Sequence, residues 1–457
     1  MNKLKLKLKP IPAALCCLLA GSIGTASAGA LIQCPNDFNN DAVIEVDDVL
    51  VGPLASFPTT PGDIDQNGDG IFQTTANTKC KHLSGSDGFI TMADGYPQYM
   101  FGFGDLTGIL QANALNEGFY NARMPASQIV VEQGQDFYLT LSNPGMLTRP
   151  DLFDPHTIHY HGFPNISSTY DGVPELTISI NQNASLTYFY RQTEPGTFMY
   201  HCHVEATEHM AMGMLGNLYV HAAQDQTIPG TVLSNPVTGN SHSHALGERY
   251  AYNDSDGDTL YNVEVPLQIH AYDSEFHDAS RNVAPLPFAD LTDRYVMFNG
   301  RGYPDTVNPN PLPAPSEDGG LTFLNAIYDA SGTKVRNEVQ SQPESSLVTA
   351  NPGQKILLRL SNLSVTQAYT VASMGLDFRV VGRGAKILRT DGEPLGAQDL
   401  TYRTNTVNIG PGEGYDLIVD TTGLASGSEY YFYSANLNYL SNNNEDFGGL
   451  MTKIVIN

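Results

Sequence analysis

Basic residues are scarce in this chain. Lys and Arg total 23 against 48 Asp and Glu in 457 residues, a formal charge of -25. Four of those lysines lie within the first ten residues, and without them the balance is 19 against 48, or -29. A surface of this sign repels nucleic acid and anionic lipid and attracts metal cations or basic partners. Apolar runs long enough to span a membrane are absent after the N-terminus, and so are long amphipathic helical patterns. Cysteine is rare at five, and histidine, twelve in all, does not occur after residue 277. Glycine and proline, by contrast, are abundant at 43 and 28, as expected of many short strands joined by turns.

The N-terminus, "MNKLKLKLKPIPAALCCLLAGSIGTASAGA", has the basic start, apolar run and small-residue exit of a secretory signal peptide, with cleavage expected after Ala28 or Ala30. Leu15 before Cys16 argues against a lipoprotein cleavage box; the alternative is a retained anchor. Export to the periplasm or the extracellular space follows as an expectation. Cys16 and Cys17 leave with such a leader, and Cys34, Cys80 and Cys202 remain. Cys34 and Cys80 bracket one segment and can pair in an oxidising compartment. That leaves Cys202 as a lone thiol in need of an explanation.

Residues 31–90 are acidic and rich in Gly, Asp and Asn. Asp37, Asn39, Asp41 and Asp48 in the first stretch, and Asp63, Asp65, Asn67 and Asp69 in "DIDQNGDG", place oxygen ligands at calcium-loop spacing. The first stretch lacks the turn glycine, and the second has Thr74 where a bidentate acid belongs, so a merely solvated acidic region is the competing reading. Residues 91–224 show strand-like alternation, residues 225–255 read as a polar linker, and alternation returns over 256–457. The expectation is all-β, with two sandwiches after the acidic region.

Two clusters carry the chemistry: "HTIHYHG", with His156, His159 and His161, and "YHCHVEATEHMAMGM", with His201, Cys202, His203, His209 and Met214. On extended chain, His159 and His161 share a face, while His201 and His203 point opposite to Cys202. One thiolate, two imidazoles and a weak thioether make the blue-copper ligand set. Cys202 gives the short bond, His156 and His209 the imidazoles and Met214 the long axial contact, with Met210 and Met212 as rivals for the axial place. A zinc site, or packed histidines without metal, are the alternatives.

These segments, "HTIHYHG" with "PGTFMYHCHVEATEHMAMGM", resemble the paired copper motifs of the multicopper oxidases, and more loosely those of copper nitrite reductase. "FNGRGYP", "LRLSNLS", "FRVVGRGA" and "NIGPGEGYDLIVD" look like the copper-free domain of that family. The resemblance implies two cupredoxin-like Greek-key sandwiches over about residues 91–457. It implies a type 1 copper at His156, Cys202, His209 and Met214, a type 2 ligand at His159 and type 3 ligands at His161, His201 and His203. Cys202 then passes electrons through the adjacent backbone to His201 and His203, which makes these three the expected catalytic residues.

The chain also departs from that pattern. A complete oxygen-reducing cluster in the family takes eight histidines, four from each of two domains, and the second half has none where they are expected. "QAYTVASMG" (367–375) and "YFYSANLNYLSNN", with Ser434, Asn436 and Asn438, stand there instead. His242, His244, His270 and His277, or copies from a neighbouring subunit in a homo-oligomer, are the remaining sources. The nitrite-reductase likeness fails similarly, and His159 stands where that enzyme has its catalytic aspartate. The expected function is an exported copper oxidoreductase or electron-transfer protein. It would take single electrons from a small-molecule, metal-ion or protein donor, with an additional copper at the remaining histidines. Non-catalytic copper binding, sequestration or a surface role is the alternative, and a structural protein tethered by its calcium-like loops is a third.

Overall fold

In the computed structural model of the chain, residues 31–34, 78–315, 339–392 and 396–457 are described. Residues 1–30, read above as a leader, and the eight residues read as calcium ligands (Asp37, Asn39, Asp41, Asp48, Asp63, Asp65, Asn67, Asp69) lie outside them.

Alternation in the first half becomes strands that bury one face. In "ASQIVVE", Ile129 and Val131 are buried while Gln128, Val130 and Glu132 are only half so. In "DFYLTLSN", Phe137, Leu139 and Leu141 enter the core. Each such side chain contributes roughly 1.5–3 kcal/mol by leaving water. Gly134, at φ 89°, turns the chain between these two strands, where Gln135 N–H donates to Glu132 O at 3.1 Å. A side chain is rarely tolerated at that φ.

Eight strands build the first sandwich: β1 (Thr78–Thr91), β2 (Pro97–Asp105), β3 (Ala126–Glu132), β4 (Asp136–Asn143), β5 (His159–His161), β6 (Ala184–Arg191), β7 (Gly196–His201) and β8 (Leu215–His221). They form two sheets in the orders β2-β1-β4-β6 and β3-β8-β7-β5. The β1–β4 and β3–β8 pairs are parallel and the other neighbours antiparallel. From β2 to β7 each successive strand therefore crosses to the other sheet, in the Greek-key manner. The first sheet already includes β1 from Thr78, ahead of the alternation read from residue 91. Cys80 on β1 is disulfide-bonded to Cys34.

The second sandwich packs a sheet centred on Val263–Tyr272, Lys355–Asn362 and Gly414–Asp420 against one holding Met451–Ile456, Glu429–Ser434 and Tyr369–Ser373. Its core contains Leu267, Ile269, Leu358, Leu360, Val371, Leu417 and Phe432. Residues 225–255, read from sequence as a linker, are folded. Val232–Ser234 pairs with Ser241–Ser243, and Arg249–Tyr250 with Leu260–Tyr261. Buried Asp254 holds this segment by accepting from Gln224 Nε2 and from the backbone N–H of Asp256, Gly257 and Thr259.

The two sandwiches share an apolar cluster of Met92, Met100, Met124, Met199, Leu215, Tyr272, Tyr295, Met297 and Leu363. A polar seam runs beside it. Fully buried Arg359 pairs with Glu264 and donates to Thr197, and His221 bridges Glu132 and Glu264. Helices among the described residues are short, such as Ala206–Met212 and Ser274–Arg281, and none is long and apolar enough to cross a membrane.

Candidate metal centre

Strand pairing assembles the histidines. β5 lies antiparallel to β7 with His159 opposite His201 and His161 opposite Met199. Past β7, Cys202 N–H donates to Met214 O at 3.1 Å, so the loop from 202 to 214 closes on itself. Within it the helix Ala206–Met212 ends at Gly213, whose φ of 114° suits glycine, and Met214 N–H returns to His209 O at 2.9 Å. His156 comes from the segment before β5, where its N–H and C=O exchange hydrogen bonds with Ile180 at 3.0 and 2.9 Å.

Cys202 Sγ lies 3.2 Å from His209 Nδ1 and 3.9 Å from His156 Nδ1. These three residues and Met214 are all 0% exposed. Ligands sharing one ion through bonds of about 2.1–2.3 Å at trigonal to tetrahedral angles stand roughly 3.6–3.8 Å apart, and the two observed separations bracket that. Gly85 on β1 completes the pocket. A Cβ there would stand 2.6 Å from His156 Cδ2 and 3.2 Å from Met214 Cε, so only glycine lets both side chains occupy one place. Met210 packs against the inter-sandwich cluster, Met212 and Met214 both belong to the first core, and Met214 is the one placed beside His156 at Gly85.

Electrostatics suit a cation. Burial, then His209, pushes the His156 imidazole well below its usual range, which keeps it neutral with a lone pair to offer. Burial acts against charge on His209 too. There the Cys202 thiolate and Asp154 outweigh it and raise the imidazole to about 10. Both Nε2 atoms are buried without a hydrogen-bond partner. Asp154 Oδ2 is the nearest charged atom to His209 Nε2, at 3.8 Å.

The second histidine set is oriented by carbonyls. His159 Nδ1–H donates to Asp171 O at 2.7 Å and His201 Nδ1–H to Cys202 O at 2.7 Å. His161 Nδ1–H faces Gly412 O, from the second sandwich, at 3.4 Å. Each of these bonds leaves Nε2 as the lone-pair nitrogen. His161 Nε2 and His201 Nε2 stand 2.8 Å apart, close enough that two lone pairs repel unless a cation lies between them. Burial lowers both rings, His201 to about 3 with His161 adding to the effect. His159, His161 and His201 form one metal-type group, their ligand atoms within 4.8 Å of one another. His203 is outside that group; its ring stacks on His201 at 5.7 Å and meets His159 edge-on at 5.0 Å.

The other histidines serve different ends. His242 Nε2 contacts Glu248 at 2.8 Å, His244 Nδ1 the Tyr250 hydroxyl at 2.9 Å, and His270 Nδ1 Leu363 O at 3.0 Å. His277 is held by Tyr99 O and Ala211 O. None of the four joins a metal-type group among the described residues. At the positions that lack histidine, Ser434 Oγ donates to Asn436 O and the Asn436 side chain accepts from Asn438 N–H. What the second sandwich brings to the imidazole set is a backbone turn: a Cβ on Gly412 would stand 2.8 Å from His161 Nδ1.

Sequence reading missed four contributors. Gly85 and Asp171 carry no local signal. Asp154 and Glu205 belong with His209 to a further metal-type group; both are acids close to ligand histidines in sequence, which was the available hint.

Multicopper oxidase family models match residues 111–225 and 277–457. The chain is 24% identical over 310 residues to Laccase-2 of Botryotinia fuckeliana, covering 67% of this chain and 40% of that protein. It is 22% identical over 319 residues to multicopper oxidase MmcO of Mycobacterium tuberculosis, covering 66% and 48%. It thus matches less than half the length of these curated relatives. In fold it is similar to the blue copper oxidase of Nitrosomonas europaea, with a TM-score of 0.53 and 20% identity over 82% of this chain and 85% of that one. Multicopper oxidase mgLAC gives 0.51 at 19% identity over the same shares.

Proposed function

The chain belongs to the multicopper oxidase superfamily, and on that premise we propose that it is an exported, copper-dependent oxidoreductase or electron-transfer protein that accepts single electrons at a type 1 copper. The observation that carries this reading is the fully buried convergence of Cys202 Sγ with His156 Nδ1 and His209 Nδ1. His156, Cys202, His209 and Met214 would hold the ion, and a copper bound there would supply a one-electron couple whose potential the Met214 thioether would help to set. The four side chains are fully buried and so exclude solvent from the place where the ion would sit.

Two features extend the site. The hydrogen bond from His201 Nδ1 to Cys202 O gives a short bonded path from the thiolate residue to the second imidazole set. His159, His161 and His201 there offer three pre-oriented Nε2 atoms to a further copper, with His203 alongside. On the outer side of His209, Asp154 and Glu205, with half-buried Glu208 next to the ring, create a negative entrance suited to a cationic or metal-ion donor. Support for export comes from the leader and from the Cys34–Cys80 bond, since disulfides persist in oxidising compartments.

The test is copper stoichiometry per chain together with visible and electron-paramagnetic spectra of the copper-loaded protein. One or more coppers with an intense thiolate band are expected. A protein that stays colourless with its copper held as copper(II) would sink the type 1 assignment. Non-catalytic copper storage is the second reading, favoured by the lack of histidine after residue 277. Redox cycling with an added donor distinguishes it from turnover.

A further inference from the structure

The copper-free half of the chain reaches directly into the proposed copper loop. The helix Ser274–Arg281, which follows the strand Val263–Tyr272, starts at Asp273, whose side chain accepts from Glu275 N–H at 3.0 Å. This N-cap also accepts from Thr292 N–H and Arg294 Nε, so the first turn is anchored on three sides. From that turn Phe276, fully buried, enters the core cluster of the first sandwich that also holds Ala211, Met212 and Met214. His277, also fully buried, sets its Nδ1 2.6 Å from Tyr99 O on β2 and its Nε2 3.1 Å from Ala211 O.

Ala211 lies between His209 and Met214, and Gly213 follows two residues later. The Tyr272 ring packs on His277 with centroids 4.2 Å apart. Its hydroxyl lies so close to Gly213 that a Cβ there would stand 2.2 Å away. Two side chains of the second sandwich thus press on the short span that joins an imidazole ligand to the thioether.

We propose that His277, backed by Tyr272, is a positioning residue for the type 1 centre: it holds the Ala211–Gly213 span from the second sandwich and so sets where His209 and Met214 stand. The proposal rests on the type 1 reading above. Its physical content is one donor and one wall. A neutral imidazole has a single N–H for two carbonyls, and burial holds this ring down to about 4 against the pull of both acceptors. Tyr99 O lies nearer, at 2.6 Å, than Ala211 O, at 3.1 Å, so the tie to the copper loop requires hydrogen on Nε2, and comparing His277→Gln with His277→Asn reads which nitrogen carries it. Without that tie, Ala211 O keeps only the His270 ring, which also reaches it, and the loop gains freedom at the ligands.

The experiment uses the full chain loaded with copper(II). His277→Gln places its amide donor where Nε2 stands, His277→Asn places it where Nδ1 stands, and His277→Phe keeps ring volume with no donor. For each, the thiolate absorption band, the copper hyperfine splitting, the reduction potential and the rate of copper loss to a chelator are measured beside thermal unfolding of the metal-free form. His277→Gln is expected to stay near wild type. His277→Asn and His277→Phe are expected to shift band and splitting and to lose copper about fivefold to tenfold faster, as for one buried hydrogen bond. Tyr272→Phe, which keeps the packing, is expected to shift the spectrum in the same direction. Wild-type spectra and copper loss in Asn and Phe variants, with only the metal-free stability lowered, would reduce His277 to a structural residue and overturn the proposal alone. Absence of a thiolate band in the wild type would overturn the type 1 reading and this proposal together.

Discussion

Replacing Gly85 by alanine adds one methyl group at the point where β1 meets two of the four proposed copper ligands. The new carbon would stand 2.6 Å from His156 Cδ2, 3.1 Å from His156 Cγ and 3.2 Å from Met214 Cε. Non-bonded carbons settle at about 3.5–4.0 Å, so the imidazole has to retreat by roughly 1 Å. It cannot do so easily. His156 is fastened to Ile180 by a reciprocal pair of backbone hydrogen bonds, and β1 is paired with β2 at Gly85 opposite Phe103. Overpacking of this kind costs about 1–3 kcal/mol, or roughly 2–12 °C in midpoint for a unit of 150–250 residues. The same displacement pulls one ligand off its position, so copper loss is expected to quicken by about tenfold, which corresponds to about 1.4 kcal/mol. Calorimetry of the metal-free and copper-loaded forms, with the thiolate band recorded in parallel, measures both effects. Gly88→Ala on the same strand is the control, since its added Cβ would meet Ala122, at 3.1 Å, and no ligand. A Gly85→Ala protein with wild-type midpoint, spectrum and copper retention would refute the placement of His156 and Met214 around one ion.

Cys202→Ser is expected to abolish the thiolate band and lower the copper count by one, leaving metal at His159, His161 and His201; metal analysis beside the spectrum checks this. Asp154→Asn and Glu205→Gln are each expected to raise KM for a metal-ion donor about fivefold, for a Coulomb loss of about 1 kcal/mol in a solvated entrance, with little change for an uncharged phenol in steady-state kinetics. The seam between the sandwiches is expected to weaken in alkali. Burial opposes charge on His221, but Glu132 and Glu264 outweigh it and raise the ring to about 9, although Arg249 Nη1 also lies 2.7 Å from Nδ1. A group raised in the folded state stabilises fully below its unfolded value of about 6.5 and loses that stabilisation as pH climbs through about 9. Thermal midpoints of wild type should therefore fall between those limits, and those of His221→Gln should fall less; parallel curves would contradict the assignment.

Much of the site could be read along the chain because its residues are close in sequence and sit on regular elements. Alternation over "HTIHYHG" and "YHCHV" put His159 and His161 on one face and Cys202 opposite its histidine neighbours; the β5–β7 register pairs His159 with His201 and ends there, before Cys202. Residue chemistry alone named a thiolate, imidazoles and a thioether as a copper set. The acidic balance and the lack of histidine after residue 277 were likewise complete in the sequence.

Tertiary structure decided what sequence spacing leaves open. Three methionines follow His209 at short intervals. Only folding sends Met210 to the inter-sandwich cluster and, of the two methionines in the first core, sets Met214 beside His156 across Gly85. It separates His203 from the three imidazoles whose ligand atoms converge. It supplies the carbonyls that fix the tautomers, one of them from Gly412, 251 residues away from His161, and brings His277 onto the copper loop. Local periodicity reports which way a side chain points from its own strand. It carries no information about which distant turn, glycine or carbonyl will stand opposite, because that depends on how the two sandwiches pack.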